Sequence, residues 1–254
     1  MARPPAVISR LAERAGGLPS EVSRQLRGFA GNVDAARARL GEIATSLPPE
    51  AKKELTRSAG RLALAARSPK KFLAALSAEL ERLINVLVPL AARKPLPLKS
   101  AAQARTLVAV AAGAAAAMAE GEELLAIFTA GAAAAPGAPA VAAALLTAWA
   151  VELWGTTSVR INQIRAGGRE VDEDLLRHEV TGALVGSDEG TSPARRMGER
   201  VAQRAARRLA RRWAAGLAPG VGILYDAYDA QRSVRDVTRL PIDGHTLRSP
   251  PAVR

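Results

Sequence analysis

Between Arg195 and Arg212 the sequence sets eight arginines against a single acid, Glu199. On a helical wheel Arg196, Arg200, Arg204, Arg207, Arg208, Arg211 and Arg212 share one broad face, while Ala202, Ala205, Ala206, Leu209, Ala210 and Trp213 share the other. Such an array has two binding chemistries. It neutralises the headgroups of an anionic membrane while its apolar side enters the interface, or it tracks the phosphates of a nucleic acid. The membrane mode is favoured of the two, because no aromatic platform, zinc motif or recognition helix accompanies the arginines. The competing structural role is a surface helix whose apolar side packs on a bundle while arginine faces water.

The stretch that follows, "APGVGILYD" at 218–226, has the look of a phosphate loop but not its chemistry. A phosphate loop needs Gly-Lys-Ser/Thr at the helix start; here Ile223 and Leu224 follow Gly222, and no lysine occurs after Lys99. A dinucleotide fingerprint needs a preceding strand and a third glycine, and Tyr225 holds that place. Pro219, Gly220 and Gly222 therefore read as a bend between helices. Beyond them Asp229 and Arg232 stand one turn apart, at pairing distance.

Other chemistry is sparse. The two histidines, His178 and His245, have no metal-ligand spacing, and there is no cysteine for a thiolate site, thiol nucleophile or disulfide. No serine sits in a nucleophile elbow. Glu120, Glu122 and Glu123 form a cation or proton site only if the apolar runs beside them enter a bilayer; otherwise they are a solvated turn. The expectation is a non-enzymatic protein with no cofactor and no metal.

The elements that must position these residues are helical. Nearly half of the residues are hydrophobic, but only 3% are aromatic, and alanine dominates. Alanine favours helix and adds little bulk, and nowhere do apolar and polar residues alternate over a strand length. The class is all-α. Residues 20–47 read as one helix, with Val22, Leu26, Phe29, Val33, Ala36, Leu40, Ile43 and Leu47 in steps of three and four, a coiled-coil type of seam. Pro48 and Pro49 stop it and start another. Leu55, Ala59, Leu62 and Ala66 carry a weaker seam. Ser68 and Pro69 open a helix with Leu73, Leu76, Leu80, Leu83, Leu87 and Leu90 at the same spacing. These seams pack within the chain or recruit a partner helix or a second copy. "RKPLPLKS" at 93–100 is the expected boundary between a basic helical bundle or hairpin, 1–98, and an alanine/glycine-rich helical domain, 101–240.

Residues 124–151 form 28 residues without a charge. The length permits a membrane span, but Pro136, Gly137 and Pro139 divide it into halves that suit a buried or membrane-dipping hairpin. Trp149 and Trp154 at its end are interface anchors or core fillers, and Glu152 between them argues against deep burial. Gly167 and Gly168 make a loop, Asp172 caps a short helix through Leu184, and 241–254 is expected to be a disordered tail.

The formal net charge is +12, of which residues 1–100 supply +10. A basic chain seeks anionic partners: membrane, nucleic acid or an acidic protein. The first residues, "MARPPAVISRLAERAGG", hold no apolar run of signal-peptide length, so the expected location is the cytoplasm, peripheral on the inner face of the cell membrane.

The order of segments resembles the bacterial EcsC family over about residues 105–240. A small-residue run with a Pro-Gly break, "AGAAAAPGAPAVAAALLTAW", is followed by "AVELWGTTSVRINQIRAGGREVD", a basic helix and "LAPGVGILYDAYDAQRSVRDVT". Pro219, Gly220 and Gly222 match the family's closing turn, Asp229 stands near its polar position, and Arg232 with Ser233 loosely matches its final pair. "AGG" at 166–168 departs from the family's tyrosine-glycine. The resemblance implies an all-helical, membrane-associated bacterial protein, with no established reaction and no catalytic residues to carry over.

Overall fold

The computed structural model describes residues 18–65, 69–119, 138–185 and 221–246. Eight helices account for most of them, with no β-strand among the described residues: α1 (Ser20–Phe29), α2 (Val33–Thr45), α3 (Pro49–Ala65), α4 (Pro69–Arg93), α5 (Ala101–Ala119), α6 (Ala138–Ala166), α7 (Glu173–Val185) and α8 (Val221–Thr238). The all-α class is observed.

Local chemistry sets the helix ends. Pro49 and Pro69 occupy first positions, where a missing N–H costs nothing. Asp172 caps α7, its carboxylate accepting from the amides of Asp174 at 3.0 Å and Leu175 at 2.9 Å. Ser100 and Gln103 open α5 reciprocally: the serine hydroxyl accepts from Gln103 N, and the glutamine carbonyl accepts from Lys99 N. At the end of α6, Gly168 takes φ 69°, Arg169 N donates to Ile164 O at 3.1 Å, and Gly168 N donates to Arg165 O at 3.0 Å. That pattern is a Schellman stop, and its left-handed position suits glycine.

Residues 20–47 are two helices where the periodicity reads as one. Gly31 turns the chain at φ 73°, and Asn32 caps α2 through a 3.0 Å bond from Ala35 N. The seam survives the break: Val22, Leu26, Phe29, Ala36, Leu40, Ile43 and Leu47 are all buried. They face one intramolecular core.

The linker at 93–100 joins helices within that core. One hydrophobic cluster runs from Leu18 to Val237 and draws on α1 through α8, with Leu96 of the linker inside it. Helix α6 lies at the centre, packed by α2, α3, α4, α5, α7 and α8. Every residue from Val151 to Ile161 is buried. The expected division at the linker is therefore not a division of the core. The part of 124–151 that is described lies at the head of α6, with Pro139 in its first turn, and from Ala144 its residues join the same cluster. Helix α5 is long and apolar enough to cross a membrane by length and composition; here Val108 to Ala117 are buried against other helices. Small residues permit the close approach. A Cβ on Gly113 would collide with Leu26 Cδ2, and one on Gly155 would lie 3.0 Å from Val108 Cγ1.

Candidate functional site

Polar groups cluster on the buried length of α6, contrary to the expectation that Glu152 resists burial. Glu152 is 1% exposed, and its carboxylate accepts from the Ser233 hydroxyl at 2.6 Å. Thr157 and Ser158 return their hydroxyl protons to the carbonyls of Leu153 and Trp154, both at 2.7 Å. Ser158 also accepts from Leu96 N at 2.9 Å, which fastens the linker to α6. The Ser233–Glu152 bond joins α8 to α6. A serine nucleophile needs an oriented base and an approach for substrate; this one lies in the interior and gives its proton to a carboxylate, so the geometry describes a tie.

A second cluster closes the chain after α8. The Arg160 guanidinium, fully buried, grips Glu179 of α7 with two prongs, Nε to Oε2 at 2.7 Å and a short contact to Oε1. Its remaining donors reach the carbonyls of Leu240 at 2.9 Å and Pro241 at 2.7 Å. His245 stands against the same carboxylate, Nε2 to Glu179 Oε2 at 3.3 Å, and its Nδ1 accepts from Asp172 N at 3.3 Å. That pairing assigns the imidazole proton to Nε2. Arg169 donates to the carbonyls of Asp243 and His245. Residues 241–246, expected as part of a tail, are thus pinned by two arginines, and His245 is 1% exposed. Residues 247–254 lie outside the described residues.

A third network joins α3 to α4. Arg61 holds Glu79 through Nε and through a 2.8 Å bond from its terminal nitrogen. Arg82 reaches Glu54 at 2.7 Å, Ser58 at 2.7 Å and Glu79 at 3.2 Å. Burial pushes the Glu79 carboxyl up, but the bonds from Arg61, Ser58 and Arg82 outweigh it and bring its pKa to about 2.

On the surface, α5 and the end of α8 border an open cleft of about 440 Å³. Its described lining is Pro19, Arg105, Gln231, Arg235, Thr238 and Arg239. Arg235 lies over the Tyr228 ring, 5.6 Å from its centroid, and donates to Gln231 Oε1 at 3.1 Å.

Of the residues singled out in the sequence, Arg196, Arg200, Arg204, Arg207, Arg208, Arg211, Arg212, Trp213, Pro219 and Gly220 lie outside the described residues, as do Glu120, Glu122 and Glu123. Gly222 falls in the first turn of α8. Trp149 is half-buried against the core. Trp154 is corrected: it is fully buried, and its indole N–H donates to Lys94 O at 3.1 Å, so it fills the core and is no interface anchor. Arg232 pairs with Asp236 at 3.3 Å, one turn further along α8 than Asp229 stands before it. Sequence reading passed over Arg160, Glu179 and the three cleft arginines. Arg105 did carry a signal, as the single charge between Lys99 and Glu120. Comparison with family models, with curated proteins and with solved structures finds no match to this chain.

Proposed function

We propose that the protein is a non-enzymatic, peripheral membrane-associated helical protein of the cytoplasmic face. It docks on anionic lipid through Arg196, Arg200, Arg204, Arg207, Arg208, Arg211 and Arg212. The observation that carries this reading is the division of residues 195–213 into an arginine face and an alanine, leucine and tryptophan face. A basic residue near an anionic surface contributes about 1 kcal/mol, so seven supply at most roughly 7 kcal/mol, a Kd on the order of 10 μM. The apolar side adds insertion to that electrostatic capture. The resemblance to the EcsC family, an expectation from segment order alone, agrees with a membrane-associated helical protein.

Flotation of the purified chain with vesicles tests the proposal. Vesicles of phosphatidylglycerol with phosphatidylcholine carry the protein upward, pure phosphatidylcholine does not, and moderate salt leaves part of the binding in place. Replacing Arg204, Arg207, Arg208 and Arg211 by glutamine abolishes flotation. No flotation with anionic vesicles, or release by duplex DNA into a stable complex, overturns the reading in favour of a nucleic-acid-binding or protein-interaction scaffold.

A further inference from the structure

We infer that the cleft between α5 and the end of α8 is an oxyanion site that takes a phosphate group. It uses residues outside the arginine-rich stretch and does not rest on the docking reading.

Three arginines, Arg105, Arg235 and Arg239, line it, and no carboxylate occurs among the described lining residues. Several other arginines of the described structure are matched to acids: Arg61 to Glu79, Arg82 to Glu54, Arg160 to Glu179, Arg169 to Asp243 and Arg232 to Asp236. Arg105 and Arg239 make no ion pair with a described residue. Like charges gathered where none of the described lining residues is acidic raise the local potential and favour an anion.

The lining is also built to donate. Gln231 is 1% exposed and spends its carbonyl oxygen on Arg235, while its Nε2 has no hydrogen-bond acceptor. A buried donor without an acceptor is costly, and an oxyanion at the cleft supplies one. Thr238 contributes shape only, its hydroxyl being given to Arg235 O at 2.8 Å. Arg235 is oriented in advance by Gln231 and by the Tyr228 ring. Pro19 at the rim places the start of α1 beside the cleft, which adds the positive end of a helix dipole; Glu21, exposed in that first turn, is the opposing charge.

A carboxylate engages one guanidinium fork, whereas three arginines match the several oxygens of a phosphate. The volume lies in the range of small-molecule sites, so the cleft has room for what the phosphate is attached to. A lipid headgroup and a soluble phosphate share this chemistry, and the test separates them.

Calorimetric titration of the full chain with inorganic phosphate, and flotation with phosphatidylglycerol vesicles, are run on wild type and two charge-matched double variants. Arg105→Gln with Arg239→Gln alters the cleft. Arg24→Gln with Arg165→Gln removes two exposed arginines elsewhere. Circular dichroism and urea midpoints confirm folding, and Gln231→Leu removes the buried donor without removing charge. The expected result is phosphate binding weakened roughly tenfold or more by the cleft pair, weakened by Gln231→Leu, and changed less than about twofold by the control pair. If free phosphate does not bind but vesicle binding falls in the cleft pair and not in the control, the phosphate is a lipid's. Equal losses in both pairs, or no loss in the cleft pair on either arm, overturn the site.

Discussion

Arg160 of α6 and Glu179 of α7 form a two-pronged ion pair inside the protein, and the same guanidinium holds the carbonyls of Leu240 and Pro241. One side chain therefore joins three stretches of chain that are distant in sequence. Burying such a charge is tolerable only because its donors are matched to acceptors. The site fixes where the chain goes after α8, the stretch in which Arg239 of the cleft directly follows the helix that carries Arg235.

Removing one partner leaves the other charged and buried. Arg160→Met is expected to cost about 3–5 kcal/mol, read as a lowered urea midpoint. Glu179→Leu added to it removes the stranded carboxylate and recovers part of the loss, since Leu240 and Pro241 are themselves exposed residues. A double variant as unstable as the two single losses combined would show that the residues do not act as a pair.

His245→Ala tests whether residues 241–246 belong to the fold. The amide of Asp172 loses its acceptor at His245 Nδ1, so its hydrogen exchange accelerates, and stability falls by about 1 kcal/mol. Unchanged exchange at Asp172 would return this segment to a tail.

Trp154 gives an optical test of its place in the core. With Trp149→Phe and Trp213→Phe it becomes the chain's single tryptophan. Its emission is expected to be blue-shifted, resistant to aqueous quencher and unchanged when anionic vesicles are added. A vesicle-dependent shift would put Trp154 at the membrane after all. Trp154→Ala costs about 3–5 kcal/mol by opening a cavity.

Gly113 sits where α5 meets Leu26 of α1 and Ile223 of α8. Gly113→Val forces Leu26, itself without exposed surface, to move, at a cost of about 1–3 kcal/mol. Adding Leu26→Ala gives the new side chain space. If Gly113→Val leaves the thermal midpoint where it was, the helices are not in close contact at this point.

Much of this architecture was legible from local chemistry. Proline fixes φ and lacks a donor, so Pro49 and Pro69 marked helix starts; Asp172 marked a third through its carboxylate. The apolar seam from Val22 to Leu47 identified core residues but concealed the break at Gly31 and Asn32, since the turn preserves the step of the periodicity across two helices. Glu152 was misjudged, and Arg160 passed over, because polarity along one helix does not report on its neighbours. Helix α6 is surrounded, and its Glu152 and Arg160 are matched by α7, α8 and the chain beyond. The cleft was invisible for the same reason. Arg105 meets Arg235 and Arg239 only after α5 and α8 pack together, and no pattern within either helix announces the meeting.

Glu79 sets an acid limit on stability. Its ordinary carboxyl value of 4.5 applies to the unfolded chain, and in the fold it is brought to about 2, where the bonds from Arg61, Ser58 and Arg82 outweigh burial. The folded state thus holds the proton less tightly than the unfolded one, so its contribution is complete above about pH 4.5. It falls as pH drops from there toward 2 and is gone below. The difference of the two values corresponds to about 3 kcal/mol at neutral pH. Glu54, lowered by its bond from Arg82, acts in the same direction. Urea midpoints of wild type and Glu79→Gln, taken between pH 7 and pH 2, are expected to lie apart at neutrality and to converge below pH 4.5. Curves that stay parallel over that range would mean that ionised Glu79 contributes nothing to the joint between α3 and α4.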